Sequence, residues 1–137
     1  MAAEKAPSGR QLIVVGSSAG GIDALAVLVS TLPSDLPAPV LLAQHLDPRK
    51  PSHLQEILER RSTLPVRTVH DHEALEPGTV YVVPSNLLVT VTAHEVRVQP
   101  NTGQRPQPSI DLLFASAAQV FGEGLVAVVR LPVPPSA

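Results

Sequence analysis

Residues 12–25 read LIVVGSSAGGIDAL. Two adjacent serines close an apolar run and are wrapped in glycine. Such a turn either cradles a ligand or presents a serine that reacts. A dinucleotide turn needs G-x-G-x-x-G, and Ser18 stands where the second glycine belongs. A phosphate loop needs G-x-x-x-x-G-K-[ST]. Gly16 and Gly21 have its glycine spacing, but Ile22 and Asp23 replace the lysine and the hydroxyl residue. Gly16, Ser18 and Gly20 satisfy G-x-S-x-G in full. Small neighbours let that serine sit on a tight strand-to-helix turn that exposes its hydroxyl. The free N–H groups at the helix start then converge on one point and can hold an oxyanion. A serine that merely caps the helix fits the same residues.

A serine needs a base. LLAQHLDP, residues 41–48, puts His45 just past an apolar strand. Imidazole accepts a hydroxyl proton near neutral pH, although a strand-end histidine bonded to backbone is the plainer alternative. Asp47 could orient that ring only if the loop folds back; a loop or capping role suits it better. VHDHE, residues 69–73, holds His70 and His72, but no third metal ligand is evident, and it reads as a solvated turn. No metal or other cofactor is expected. His53 and His94 read as surface residues, and Arg105 as a loop cation able to face a carboxylate or ester.

The elements that would position Ser18 and His45 follow from periodicity. Residues 11–16 read as a strand and 20–32 as a well-buried helix that Pro33 stops. Val40 to Gln44 is a second strand and Pro51 to Arg61 a helix with Leu54, Ile57 and Leu58 on one face. Strands follow at Val66–Val69 and Thr79–Val83, the latter after a Pro77-Gly78 turn. LLVTVT and EVRVQP form a hairpin around Ala93-His94 with one solvated face. Residues 100–108 are a loop. Ser109 caps a helix carrying Ile110, Leu113, Phe114, Ala117 and Phe121, and LVAVVR is the last strand. The order βαβαβ, hairpin, αβ predicts an α/β fold: a doubly wound, mostly parallel sheet with helices on both faces and a small antiparallel hairpin. The turns after residues 16 and 44 fall at the carboxyl ends of strands, where such sheets bind ligands.

Composition agrees with that architecture. The chain has 137 residues, enough for one domain with a core. It is 44% hydrophobic but only 2% aromatic, so Val, Leu, Ile and Ala must fill the interior. A net charge of −2 without a basic stripe argues against nucleic acid. The absence of cysteine excludes disulfides and thiol catalysis. No apolar run reaches the length of a membrane span, and the polar first residues lack a signal-peptide core. The expectation is a cytoplasmic protein without membrane insertion.

Four separated motifs carry a resemblance: IVVGSSAGGIDAL, QHLDP, VYVVPSN and RPQPSIDLLF. In order and spacing they resemble the catalytic domain of the CheB-type chemotaxis protein-glutamate methylesterases, over residues 11 to 129. The look is nearest to the stand-alone and methylesterase–methyltransferase fusion forms. The resemblance implies a doubly wound α/β fold and a Ser–His–Asp triad. It implies a reaction that turns methylated glutamates of chemoreceptors into glutamate and methanol, with deamidation of certain glutamines. On this sequence the nucleophile matches Ser18 rather than Ser17, and the base matches His45. The residue after the nucleophile, often threonine in the family, is Ala19. Backbone N–H groups of Ala19 and Gly20 would form the oxyanion hole. Asp111 falls in the family's Pro-Ser-[Val/Ile]-Asp motif with a structural role. The implied partners are a methyl-accepting chemoreceptor and a separate receiver or methyltransferase protein.

The resemblance stops at GLVAVV. In the family a Gly-rich loop with the triad aspartate follows; here RLPVPPSA follows, and no aspartate comes after Asp111. The reading is a disordered leader at 1–10, a partial methylesterase domain at 11–130 and an aberrant Pro-rich tail at 131–137, as a truncated frame would give. The alternative to catalysis is a homologue that retains only a docking role. An exposed apolar edge at Leu125 to Val129 is expected, with poor folding or association.

Overall fold

A computed structural model of the chain describes residues 10–17, 22–44, 53–84, 88–99 and 109–130. The first apolar run forms β1 (Leu12–Ser17), followed by α1 (Ile22–Ser30) and β2 (Val40–Gln44). Then come α2 (Leu54–Arg61), β3 (Val66–Thr68), β4 (His72–Ala74), β5 (Val80–Pro84), β6 (Leu88–Val91) and β7 (Glu95–Gln99). A helix α3 (Ser109–Phe121), a 3₁₀ turn (Gly122–Gly124) and β8 (Leu125–Arg130) complete the described order.

Five strands form one sheet in the order β3-β5-β2-β1-β8, and every pairing in it is parallel. A parallel sheet covered on both faces needs strands that are apolar on both faces. β2 meets this demand: all five of its residues are buried. Successive side chains alternate between the faces. Val40 and Leu42 join Val15, Val80 and Val82 against Leu25 and Val29 of α1 and Leu54 and Leu58 of α2. Leu41 and Ala43 join Val14, Tyr81 and Val83 against Leu113 and Ala117 of α3 and the buried faces of β6 and β7. The expected doubly wound sheet is therefore present, with helices on both faces.

The second layer is larger than the expected hairpin. β4 pairs antiparallel with β7, giving a three-stranded sheet β4-β7-β6. Residues 69–73 were expected to be a solvated turn; His70 and Asp71 bend, but His72 and Glu73 enter β4, with His72 opposite Arg97 and Glu73 opposite Val96. The three residues His72, Glu73 and Ala74 carry too little apolar alternation to announce a strand; the backbone ladder to β7 makes one of them. β7 alternates buried Val96 and Val98 with exposed Arg97 and Gln99, the half-solvated pattern expected of this region.

Among the described residues, α1 ends and α2 starts inside the spans expected from the sequence, while α3 fills its own. α1 closes at Ser30, where Thr31 N–H and Leu32 N–H bond back only three residues, to Leu28 and Val29 carbonyls at 3.1 and 3.3 Å. α2 starts at Leu54, preceded by His53 at φ −100°, ψ 13° with no side-chain cap. Glu56 in its first turn and Arg60 and Arg61 in its last suit the helix dipole. Gln55 secures α2 to β3: its Oε1 accepts from Thr68 N at 3.0 Å and from Thr68 Oγ1 at 2.5 Å. On the other face, Ser116 Oγ of α3 accepts from Val91 N at 3.2 Å and donates to Leu113 O at 3.2 Å.

Two glycines are required by geometry. Gly78 turns into β5 at φ +74°, in the left-handed region that side chains disfavour. At Gly124 a Cβ would lie 2.1 Å from the Arg10 carbonyl oxygen, so only glycine lets the approach to β8 pass under the approach to β1.

Candidate active site

The site is built at the carboxyl edge of the parallel sheet. Ladder register sets Ser17 beside Gln44 on one side and beside Arg130 on the other, and Gln44 beside Pro84. The last residues of β8, β1, β2 and β5 thus form one row. Ser18 follows Ser17 in the chain, and His45 follows Gln44. Both lie outside the described residues, as do Ala19, Gly20, Asp47 and Arg105. Each is one covalent step past a registered pair of adjacent strands. The described strand ends that precede Ser18 and His45 in the sequence are therefore neighbours in the sheet.

Helix placement adds direction. α1 begins at Ile22, four residues after Ser18, so its first turn faces the same edge. The leading N–H groups of a helix have no partner within it and carry partial positive charge. That is the field an oxyanion requires.

One feature of the edge has no counterpart among the residues singled out above. Gln44 is 3% exposed, and with Thr79 it makes up the buried polar side chains of the described residues outside the aromatic set. By strand alternation it shares the face of Val40 and Leu42, toward α1 and α2. The signal was in the sequence, a carboxamide closing an otherwise aliphatic VLLAQ, but a polar residue at that point reads equally as the start of a loop.

The remaining candidates lie on other elements. Asp111 is the third residue of α3, on the other layer. His53 is exposed, with Nδ1 3.7 Å from Glu56 Oε2. His94 is exposed at the β6–β7 turn, and its carbonyl accepts from Leu75 N at 2.8 Å. His72 Nδ1 lies 2.6 Å from Asp71 Oδ2 on the surface, and His70 is exposed beside them. Among the described residues no three His, Asp or Glu side chains gather as a metal site. Among them too, no helix is long and apolar enough to cross a membrane. Tyr81 is buried three positions before the edge. Its hydroxyl donates to Ala74 O at 2.6 Å and accepts from Glu76 N at 2.9 Å. Burial pushes its pKa up, partly offset by the bond from the Glu76 N–H.

The family model for CheB methylesterase matches residues 13–129. This chain belongs to the CheB methylesterase family. Among relatives, it is 35% identical over 122 residues to the protein-glutamate methylesterase/protein-glutamine glutaminase 1 of Saccharophagus degradans, covering 87% of this chain and 33% of that protein. It is 33% identical over 122 residues to the protein-glutamate methylesterase/protein-glutamine glutaminase of Archaeoglobus fulgidus, covering 85% of this chain and 35% of that one. The chain thus spans about a third of the length of these relatives. The crystal structure of the Thermotoga maritima CheB methylesterase catalytic domain superposes with a TM-score of 0.76 at 26% identity, covering 88% of this chain and 67% of that chain. The CheB methylesterase fold accounts for the parallel sheet, its helices and the small antiparallel layer.

Proposed function

We propose that this chain is a protein-glutamate methylesterase domain, a carboxyl-ester hydrolase acting on methylated glutamates of a chemoreceptor, with deamidation of glutamine as its second reaction. The observation that carries this reading is the register of β1 and β2, which brings the residues preceding Ser18 and His45 side by side at the sheet edge within a CheB methylesterase domain.

In this reading Ser18 Oγ attacks the ester carbonyl carbon, and His45 takes the hydroxyl proton. The N–H groups of Ala19 and Gly20 hold the tetrahedral oxyanion. The bond to the methoxy oxygen breaks, and His45 returns the proton, so methanol leaves. Water then attacks the acyl-serine with His45 again as base, releasing glutamate and restoring Ser18. With glutamine as substrate the leaving group is ammonia. An acid that orients the imidazole is worth about 10⁴ in kcat in the serine-protease template. No aspartate follows Asp111 in these residues, so activity here reports the serine–histidine pair.

A fluorophosphonate ester probe tests the assignment. Labelling is expected for the 137-residue chain and lost in Ser18→Ala. His45→Ala should slow it at least 100-fold. Labelling that survives Ser18→Ala, or a folded chain that takes no label, would replace the hydrolase reading with a docking role.

A further inference from the structure

A sheet ends in strands whose outer backbone groups face no neighbouring strand, and such margins recruit other chains unless something closes them. Along β3 the bonds to β5 alternate. Val80 N donates to Pro65 O at 2.9 Å, and Val69 N donates to Val82 O at 3.0 Å. Residues 65, 67 and 69 therefore turn toward β5, and the backbone groups of Val66 and Thr68 turn outward. The outward N–H of Thr68 is taken by α2. Gln55 Oε1 accepts it at 3.0 Å and accepts the Thr68 hydroxyl at 2.5 Å. Gln55 is itself steadied by a bond from its Nε2 to Glu59 Oε1 at 2.9 Å. The small sheet repeats the arrangement. Thr92 N donates to Glu95 O at 2.9 Å, so Val91 N turns away from β7, and Ser116 Oγ of α3 accepts it at 3.2 Å. The other margin of that sheet, β4, is short and carries His72 and Glu73, features that resist pairing. β8 differs from all three: it is six residues long, Leu125 to Val129 is uncharged, and Val126 is 45% exposed.

We propose that the β3 margin is a latent docking surface for the β8 strand of a second copy of this chain, and that Gln55 keeps it closed by occupying the Thr68 N–H. β3 and β8 are the margins of one sheet among the described residues, and every pairing in that sheet is parallel. A second copy's β8 can therefore add to β3 in the direction of the strands already present. Such a contact joins unlike surfaces, leaves a β3 and a β8 free at the two ends, and grows beyond a pair. With β3 closed, β8 meets the β8 of another copy, a contact of like with like that stops at two. Gln55 thus decides between a finite association and an extending one.

The test uses Gln55→Met, which keeps length and helix propensity and removes the acceptor. Gln55→Asn, one methylene too short to reach Thr68, serves as a second, milder variant. A double swap, Gln55→Glu with Glu59→Gln, keeps an acceptor at position 55 and the bond between the two side chains. Sedimentation and exchange of the Thr68 amide are followed on the 137-residue chain across a range of concentrations. The parent and the swap should show no species larger than a pair, with the Thr68 amide protected at every concentration. In dilute Gln55→Met and Gln55→Asn that amide should exchange about tenfold faster or more. As concentration rises it should regain protection while species larger than a pair appear, and adding Val126→Lys should remove them. A Thr68 amide that ignores the loss of Gln55 overturns the proposal. So does a variant that keeps the parent's size at every concentration, and so do large species that survive Val126→Lys.

Discussion

Among single residues, Tyr81 ties the two layers together. Its hydroxyl bridges the carbonyl of Ala74 and the N–H of Glu76, at 2.6 and 2.9 Å, just where β4 ends. Tyr81→Phe leaves both backbone groups without this partner, a cost of about 1–3 kcal/mol. Urea unfolding should show that loss as a lower midpoint with an unchanged slope. Burial also raises the Tyr81 pKa above 10.0. A group with a raised folded pKa holds its proton longer in the folded chain than in the unfolded one. Its contribution is therefore complete below the unfolded value of about 10 and fades as pH climbs above it. Stability measured from pH 8 to 11 should fall more steeply for the parent than for Tyr81→Phe; parallel curves would contradict this. The strand ends before Ser18 and His45 were legible because an apolar run closes at each. Tyr81 was not, since nothing in VYVVP names the distant carbonyl that its hydroxyl meets.

At the scale of elements, the long aliphatic strands and α3 were readable because each has a period and a length that only one structure satisfies. β4 was not, because its three residues are held by pairing with β7 rather than by their own composition. The start of α2 was also overextended at His53, whose backbone angles of φ −100° and ψ 13° set it outside the helix that begins at Leu54. A close approach between elements is equally silent in sequence. Gly124 lets the chain entering β8 cross the Arg10 carbonyl, and a Cβ there would sit 2.1 Å from that oxygen. Gly124→Ala must push β8 away from the start of β1. A loss of about 1–3 kcal/mol is expected, seen as a melting temperature lower by several degrees. Ala tolerated without change would mean that the two approaches part freely.

For the whole molecule, β8 is a margin of the main sheet among the described residues. It bonds to β1 on one side, and Val126 is 45% exposed. Leu125 to Val129 carries no charge, and the chain's net charge of −2 gives little repulsion. Apolar strand margins recruit other strands, so concentration-dependent association of the 137-residue chain is expected in sedimentation. Val126→Lys should shift the population toward monomer without lowering the melting temperature by more than a few degrees. Association unaltered by the lysine would place the contact elsewhere.

The strand order also has a consequence in time. β1 is flanked by β2 and by β8, yet β2 is complete at Gln44 and β8 begins at Leu125. At about 5–20 residues per second, the ribosome takes on the order of ten seconds to make the chain between them. Throughout that interval one side of β1 has no neighbour, and the row that brings Ser17 beside both Gln44 and Arg130 cannot close. The nascent chain therefore carries this sheet edge open until β8 has been made, and the row closes only when that strand joins β1.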